Sequence, residues 1–145
     1  MPETKQQNFA NHAKFDPKFH FFLAPIFLIN AISAIVALFR NPSLSTAWAF
    51  IFAAALLVAI FTIRIYSLKV QDRVIRLEER LRLSQLLPDS TRSRIGELSE
   101  SQLIALRFAS DKEVPALVQK ILSENWKSAD IKKAVTQWRP DYFRV

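Results

Sequence analysis

The chain has no cysteine among its 145 residues. That removes disulfides, cysteine-zinc sites and thiol nucleophiles together. It has one glycine, Gly96. Phosphate-cradling loops of the P-loop and G-x-G-x-x-G types need several glycines for close backbone approach, so neither is present. Few glycines and few turn signals also argue against a β architecture. No Ser-His-Asp or Glu-x-x-His spacing stands out, and the segments 21–39 and 47–63 carry no charge. Residues 1–20 hold no 7–15-residue apolar run ahead of a small-residue cleavage site, so a secretory signal peptide is not expected. The first apolar span would serve instead as an uncleaved anchor.

A net charge of +7 raises the question of nucleic acid, but the placement of the charge answers otherwise. Sixteen of the twenty Lys and Arg lie in 64–145, beside eleven acidic residues. Three precede the first span (Lys5, Lys14, Lys18) and one, Arg40, lies between the spans. This is the asymmetry of the positive-inside rule. With no basic run and no recognisable binding motif, no nucleic-acid partner is expected.

What is present is apolar length. Phe21–Phe39 matches one crossing of a hydrocarbon layer about 30 Å thick. Asp16-Pro17 biases Asp16 away from helix, so the first helix should begin at Pro17. Pro25 is tolerable early in a membrane helix as a kink. Arg40–Thr46 reads as a short turn with Ser and Thr as N-caps, which makes the two spans antiparallel neighbours. The second span covers about 47–63, with Trp48 and Tyr66 as interface anchors and Ala53, Ala54, Ala55 and Ala59 as close-packing positions. No Pro or Gly interrupts the chain from there to Pro88. One helix from Trp48 to Leu87 would be roughly 60 Å long, about twice the hydrocarbon thickness.

Beyond the span, Val70, Val74, Leu77 and Leu81 recur at spacings of four, three and four, like the a/d seam of a coiled coil. Leu68, Ile75 and Leu83 broaden it on one side. Asp72–Arg76 and Glu78–Arg82 read as i, i+4 ion pairs. After a break at Pro88–Ser93, three short amphipathic helices are expected. Ser99-x-x-Gln102 and Ser110-x-x-Glu113 read as capping boxes, and Ser128 as the cap of a helix carrying Ile131, Val135 and Trp138 on one face. Helices of about ten residues need tertiary packing, and the nearest apolar surface is the 70–83 seam.

The stretches QNFANHAKFDPKFHFF at 7–22, LKVQDRVIRLEERLRL at 68–83, QLIALRFASDKEVPALV at 102–118 and IKKAVTQWRPDYFRV at 131–145 give the chain a resemblance to a bacterial family of small two-span membrane proteins, known only as a domain of unknown function. The resemblance spans nearly the whole chain. It implies two membrane helices and a cytoplasmic helical tail, and it implies no activity.

The expected fold is therefore all-α: a two-helix transmembrane hairpin whose second helix extends into a small cytoplasmic helical bundle. Its parts are an interfacial segment 1–20, the hairpin 21–63 and a cytoplasmic domain 64–145. The expected location is the bacterial inner membrane with both termini cytoplasmic. Within the spans, Asn30 and Ser33 share a face and read as interhelical hydrogen-bonding positions. His12, Asp16 and His20 are spaced four apart as metal ligands on a helix would be, but Pro17 spoils that helix, and no metal or other cofactor is expected. Glu78 and Glu79 are adjacent and point about 100° apart, so they cannot face each other as an acid/base pair. Their arginine neighbours favour the ionised form. The expectation is a binding or scaffold protein rather than an enzyme, with Arg73, Arg76, Glu79 and Arg80 as contact residues. Its partners would be the lipid bilayer, including anionic lipids, and a protein that the sequence does not name, with self-association open. An accessory subunit of a larger membrane complex and an oligomeric transporter or channel component are the alternatives.

Overall fold

The computed structural model describes residues 7–11 and 15–142. Its regular elements are a π-helical turn Lys18–Leu23, α1 (Ala24–Arg40), α2 (Leu44–Leu86), α3 (Asp89–Arg92), a 3-10 turn Ile95–Glu97, α4 (Glu100–Leu106), α5 (Val114–Glu124) and α6 (Ser128–Ala134). The fold is all-α. Among the described residues extended pairing is confined to an isolated antiparallel bridge between Ala109 and Trp138. The chain divides into two compact units, one of residues 15–69 and one of 70–142 together with 7–11.

In the first unit, two helices are long and apolar enough to cross a membrane: Lys18–Arg40 and the 43-residue α2. The first begins where Asp16-Pro17 predicts. The Asp16 carboxylate accepts from the backbone N–H of Lys18 at 3.0 Å, and Pro17 precedes the first turn. That turn is π-helical, with Ala24 N–H donating to the Phe19 carbonyl. A wider turn just ahead of Pro25 relieves the clash of its ring with the carbonyl one α-turn back. At the other end, Ser43 and Thr46 cap reciprocally. Thr46 Oγ1 accepts from Ser43 N–H at 3.0 Å and Ser43 Oγ from Thr46 N–H at 3.2 Å. Phe19 meets Phe61 edge to face at 5.6 Å, and Arg64 reaches both Asp16 (3.8 Å) and the Phe19 ring (5.5 Å).

Of the close-packing alanines expected on α2, Ala53 and Ala54 are covered, whereas Ala55 and Ala59 are exposed. Ala31, Ala34 and Ala54 are half-buried and Ala53 is buried. The half-covered stripe of α1 runs through Ala24, Phe27, Ala31, Ala34, Ile35 and Leu38. Asn30 and Ser33 fall outside it and are exposed, contrary to the expectation that they hydrogen-bond between the helices. Close backbone approach selects alanine over the polar pair.

The second unit has a conventional apolar core. Leu83 and Leu87 are buried with Leu98, Leu103, Leu106, Val114, Val118, Ile121 and Ile131, and Phe108 is fully buried beside Trp138. The short helices do pack on α2 within the same chain, but on a different face from the one the heptad spacing indicates. Ile75, Glu79 and Leu83 are buried, whereas Val70, Val74, Leu77 and Leu81 are 64%, 49%, 60% and 58% exposed. The face that is used is interrupted by Glu79 and Arg82, which makes it look polar in sequence. The two pair with each other, and their further partners come from far along the chain.

Local signals fared unevenly. The Ser99–Gln102 capping box forms in both directions. Ser110–Glu113 does not form one. Glu113 is itself the N-cap residue of α5, and its carboxylate turns to the backbone N–H groups of Thr136 and Gln137. Ser128 is the first residue of α6 rather than its cap, and the helix starts after an extended Lys127. α6 ends at Ala134, so Val135 and Trp138 reach the core from extended chain. Arg82 pairs with Glu79 and Asp111 rather than Glu78.

Candidate functional site

Two surfaces of the 70–142 unit carry chemistry. The first is a cleft of about 410 Å³ lined by Gln71, Val74, Ile75, Glu78, Glu79, Arg107, Arg139, Pro140 and Asp141. At its floor Glu79 is 3% exposed. Its Oε2 lies 3.1 Å from Arg82 Nη1 and its Oε1 3.6 Å from Arg139 Nη1. Arg82 also donates to Asp111 Oδ1 at 2.7 Å and to the Ala109 carbonyl at 2.6 Å. Arg107, buried against the Phe108 ring, pairs with Asp141 at 3.1 Å. Three guanidinium groups thus meet three carboxylates. Burial pushes the Glu79 carboxyl above its ordinary range, and Arg82, Arg139 and Arg107 pull against that push. This corrects the sequence-based expectation of Glu79 as a contact residue on the open surface of the helix. Both of its oxygens are engaged inside the fold, so the cluster locks the C-terminal segment to α2.

The second surface is a face of α2 turned away from Glu79, and Val74 borders both. Val70, Arg73, Val74, Arg76, Leu77 and Arg80 line a shallow groove of about 450 Å³, and Leu81 continues its apolar stripe. Arg73 and Arg80 are exposed on its flank. Arg76 is half-buried, tied to Glu100 by an ion pair and to the Asp72 carbonyl at 3.3 Å.

The sequence model of one family of unknown function matches residues 3–145. The chain belongs to that family, DUF6526. No curated protein and no solved structure matches it.

Of the contact residues expected in this DUF6526 chain, the structure brings Arg73, Arg76 and Arg80 onto one surface and places Glu79 on the other side of the helix. Of the three metal-ligand positions, His12 lies outside the described residues. Asp16 caps the first turn, and His20 Nδ1 lies 2.8 Å from the Asp16 carbonyl with its ring against Phe15 and Phe19. Among the described residues, no three His, Asp or Glu side chains cluster as a metal site would require. Sequence reasoning missed Arg107, Asp111, Arg139 and Asp141. Their convergence depends on the Ala109–Trp138 bridge and on Arg139 N–H donating to the Phe108 carbonyl at 2.7 Å. No local spacing encodes those contacts.

Proposed function

We propose that this protein is a membrane-anchored docking module that works by binding rather than by catalysis. In this reading Lys18–Arg40 and the first part of α2 cross the bacterial cytoplasmic membrane as an antiparallel hairpin, and both termini and the helical unit lie in the cytoplasm. The distribution of Lys and Arg over the three aqueous segments supports that topology, as do the contacts of Phe19 and Asp16 with Phe61 and Arg64.

One observation carries the docking reading. The chain covers one apolar face of α2 with its own tail and leaves a second, Val70, Val74, Leu77 and Leu81, open with Arg73 and Arg80 along one flank. Grouped exposed aliphatic residues with a charged rim are what a contact surface presents. The engaged carboxylate of Glu79 offers no free base for an enzymatic role.

Two experiments test this. Cysteines introduced singly at Ser43 and Ser123 report topology in intact cells. An impermeant maleimide should label position 43 and spare 123, and the reverse pattern overturns the orientation. Arg73→Glu with Arg80→Glu reports docking. The doubly reversed protein should insert and keep its tail protease-resistant yet lose its membrane neighbours. Retention of the same co-purifying proteins and lipids overturns the contact surface.

A further inference from the structure

The exposed face of α2 has a register that specifies its own partner. Val70, Leu77 and Ser84 fall at one heptad position, d, and Val74 and Leu81 at the other, a. The buried residues Ile75, Glu79 and Leu83 then occupy b, f and c on the far side, so self-coverage by the tail leaves the seam free. The flanking e positions are Gln71, Glu78 and Gln85, and the g positions are Arg73 and Arg80. Of these, Arg73, Glu78, Arg80 and Gln85 are exposed.

We propose that the occupant of this face is a second copy of the chain, joined as a parallel two-stranded coiled coil over 70–84; this rests on the docking reading above. In a parallel pair each g residue faces the e residue five positions on in the other helix. That sets Arg73 against Glu78 of the other copy, twice by symmetry, and Arg80 against Gln85. An antiparallel pair would bring g against g, arginine against arginine, and is disfavoured. Val74 at a with Leu77 at d suits two strands. Two copies anchored with one topology emerge from the same side of a bilayer, so their 70–84 segments run parallel. A seam of two heptads is too short to associate freely in water. Confinement to a membrane raises the effective concentration enough for a short seam to pair.

The absence of native cysteine makes the test direct. Leu77→Cys in the full chain, oxidised mildly in native membranes, should give a disulfide-linked dimer at least ten times more abundantly than Ser123→Cys. Arg73→Glu in that background should cut the yield about tenfold by replacing two attractive pairs with two repulsive ones. Adding Glu78→Arg should restore it, because the swap rebuilds opposite charge across a parallel homodimer. A photoreactive maleimide on the same cysteine separates the failures. If it labels another protein, or lipid in phosphatidylglycerol vesicles, and no self-adduct forms, the second-copy proposal is overturned while the docking reading stands. If it labels nothing while the tail stays protease-resistant, both are overturned.

Discussion

The C-terminal half of α2 has two apolar faces, and they differ in what surrounds them. One carries Ile75, Glu79, Leu83 and Leu87 and is buried, with Leu83 and Leu87 in one core cluster with residues of α4, α5 and α6. The other carries Val70, Val74, Leu77 and Leu81 in a cleaner heptad pattern and is bare. Periodicity reports which positions are apolar, not which of them the same chain will cover. A face broken by a glutamate and an arginine became the core because the two pair with each other and with distant residues. The unbroken face was left for something else.

The largest effect is expected from a charge on the sealed face. Leu83 is fully buried in the core cluster. Leu83→Asp should destabilise the 70–142 unit by about 3–5 kcal/mol, and limited proteolysis of the purified chain should then cut the tail. Leu77→Asp on the bare face should leave the same digestion pattern unchanged. Equal sensitivity at the two positions would mean that both faces are covered within one chain.

A smaller effect should follow from Gln102→Ala. Gln102 Oε1 accepts from Ser99 N–H at 2.7 Å, and its amide donates to the Trp126 carbonyl at 2.9 Å. Losing the cap and the tie to the end of α5 should cost about 1–3 kcal/mol, read as a lowered denaturant midpoint.

Acidity should separate two glutamates on the sealed side. For Glu79 burial dominates and raises the pKa, so its stabilising contribution is present at low pH and is lost as pH rises through the folded value. For Glu113 burial also opposes ionisation. The hydrogen bonds donated by the Thr136 hydroxyl and backbone, Gln137 N–H and Ser110 together outweigh it and lower the pKa. Its contribution is present above the ordinary carboxylate pKa and lost as pH falls through the folded value. Glu79→Gln should therefore raise stability at neutral relative to acid pH, and Glu113→Gln should lower it, measured as unfolding midpoints across pH. The smallest effect belongs to Arg76→Ala. It removes a partly exposed ion pair to Glu100 and should shift stability by no more than about 1 kcal/mol.

How much of this was legible in the sequence depends on how far apart the cooperating residues lie. The two long apolar helices, the helix start after Asp16, the Ser43–Thr46 cap and the Ser99–Gln102 box rest on neighbours within a few residues, and all read correctly. The choice of face on α2 rests on Glu79 meeting Arg139 and on Arg82 meeting Asp111, and no window of heptad length contains those pairs. Ser110–Glu113 has the capping-box pattern, yet Glu113 finds better donors at Thr136 and Gln137. The candidate surface is half legible: the sequence marks its arginines and its aliphatic stripe as separate features, the one a contact face and the other core.

Gln7 and Asp141 give the molecule a schedule. The Asp141 backbone N–H donates to Gln7 Oε1 at 2.8 Å across 134 residues of chain. At roughly 5–20 residues per second of synthesis, Gln7 waits on the order of ten seconds or more for its donor to be made. Both apolar helices are made within that interval, and so is every residue of the core cluster. Asp141 is also the partner of Arg107. The last stitch between the early and late parts of the chain therefore coincides with closing the charged cleft, so a released chain truncated before residue 141 should hold a folded core with an unlatched N-terminal segment.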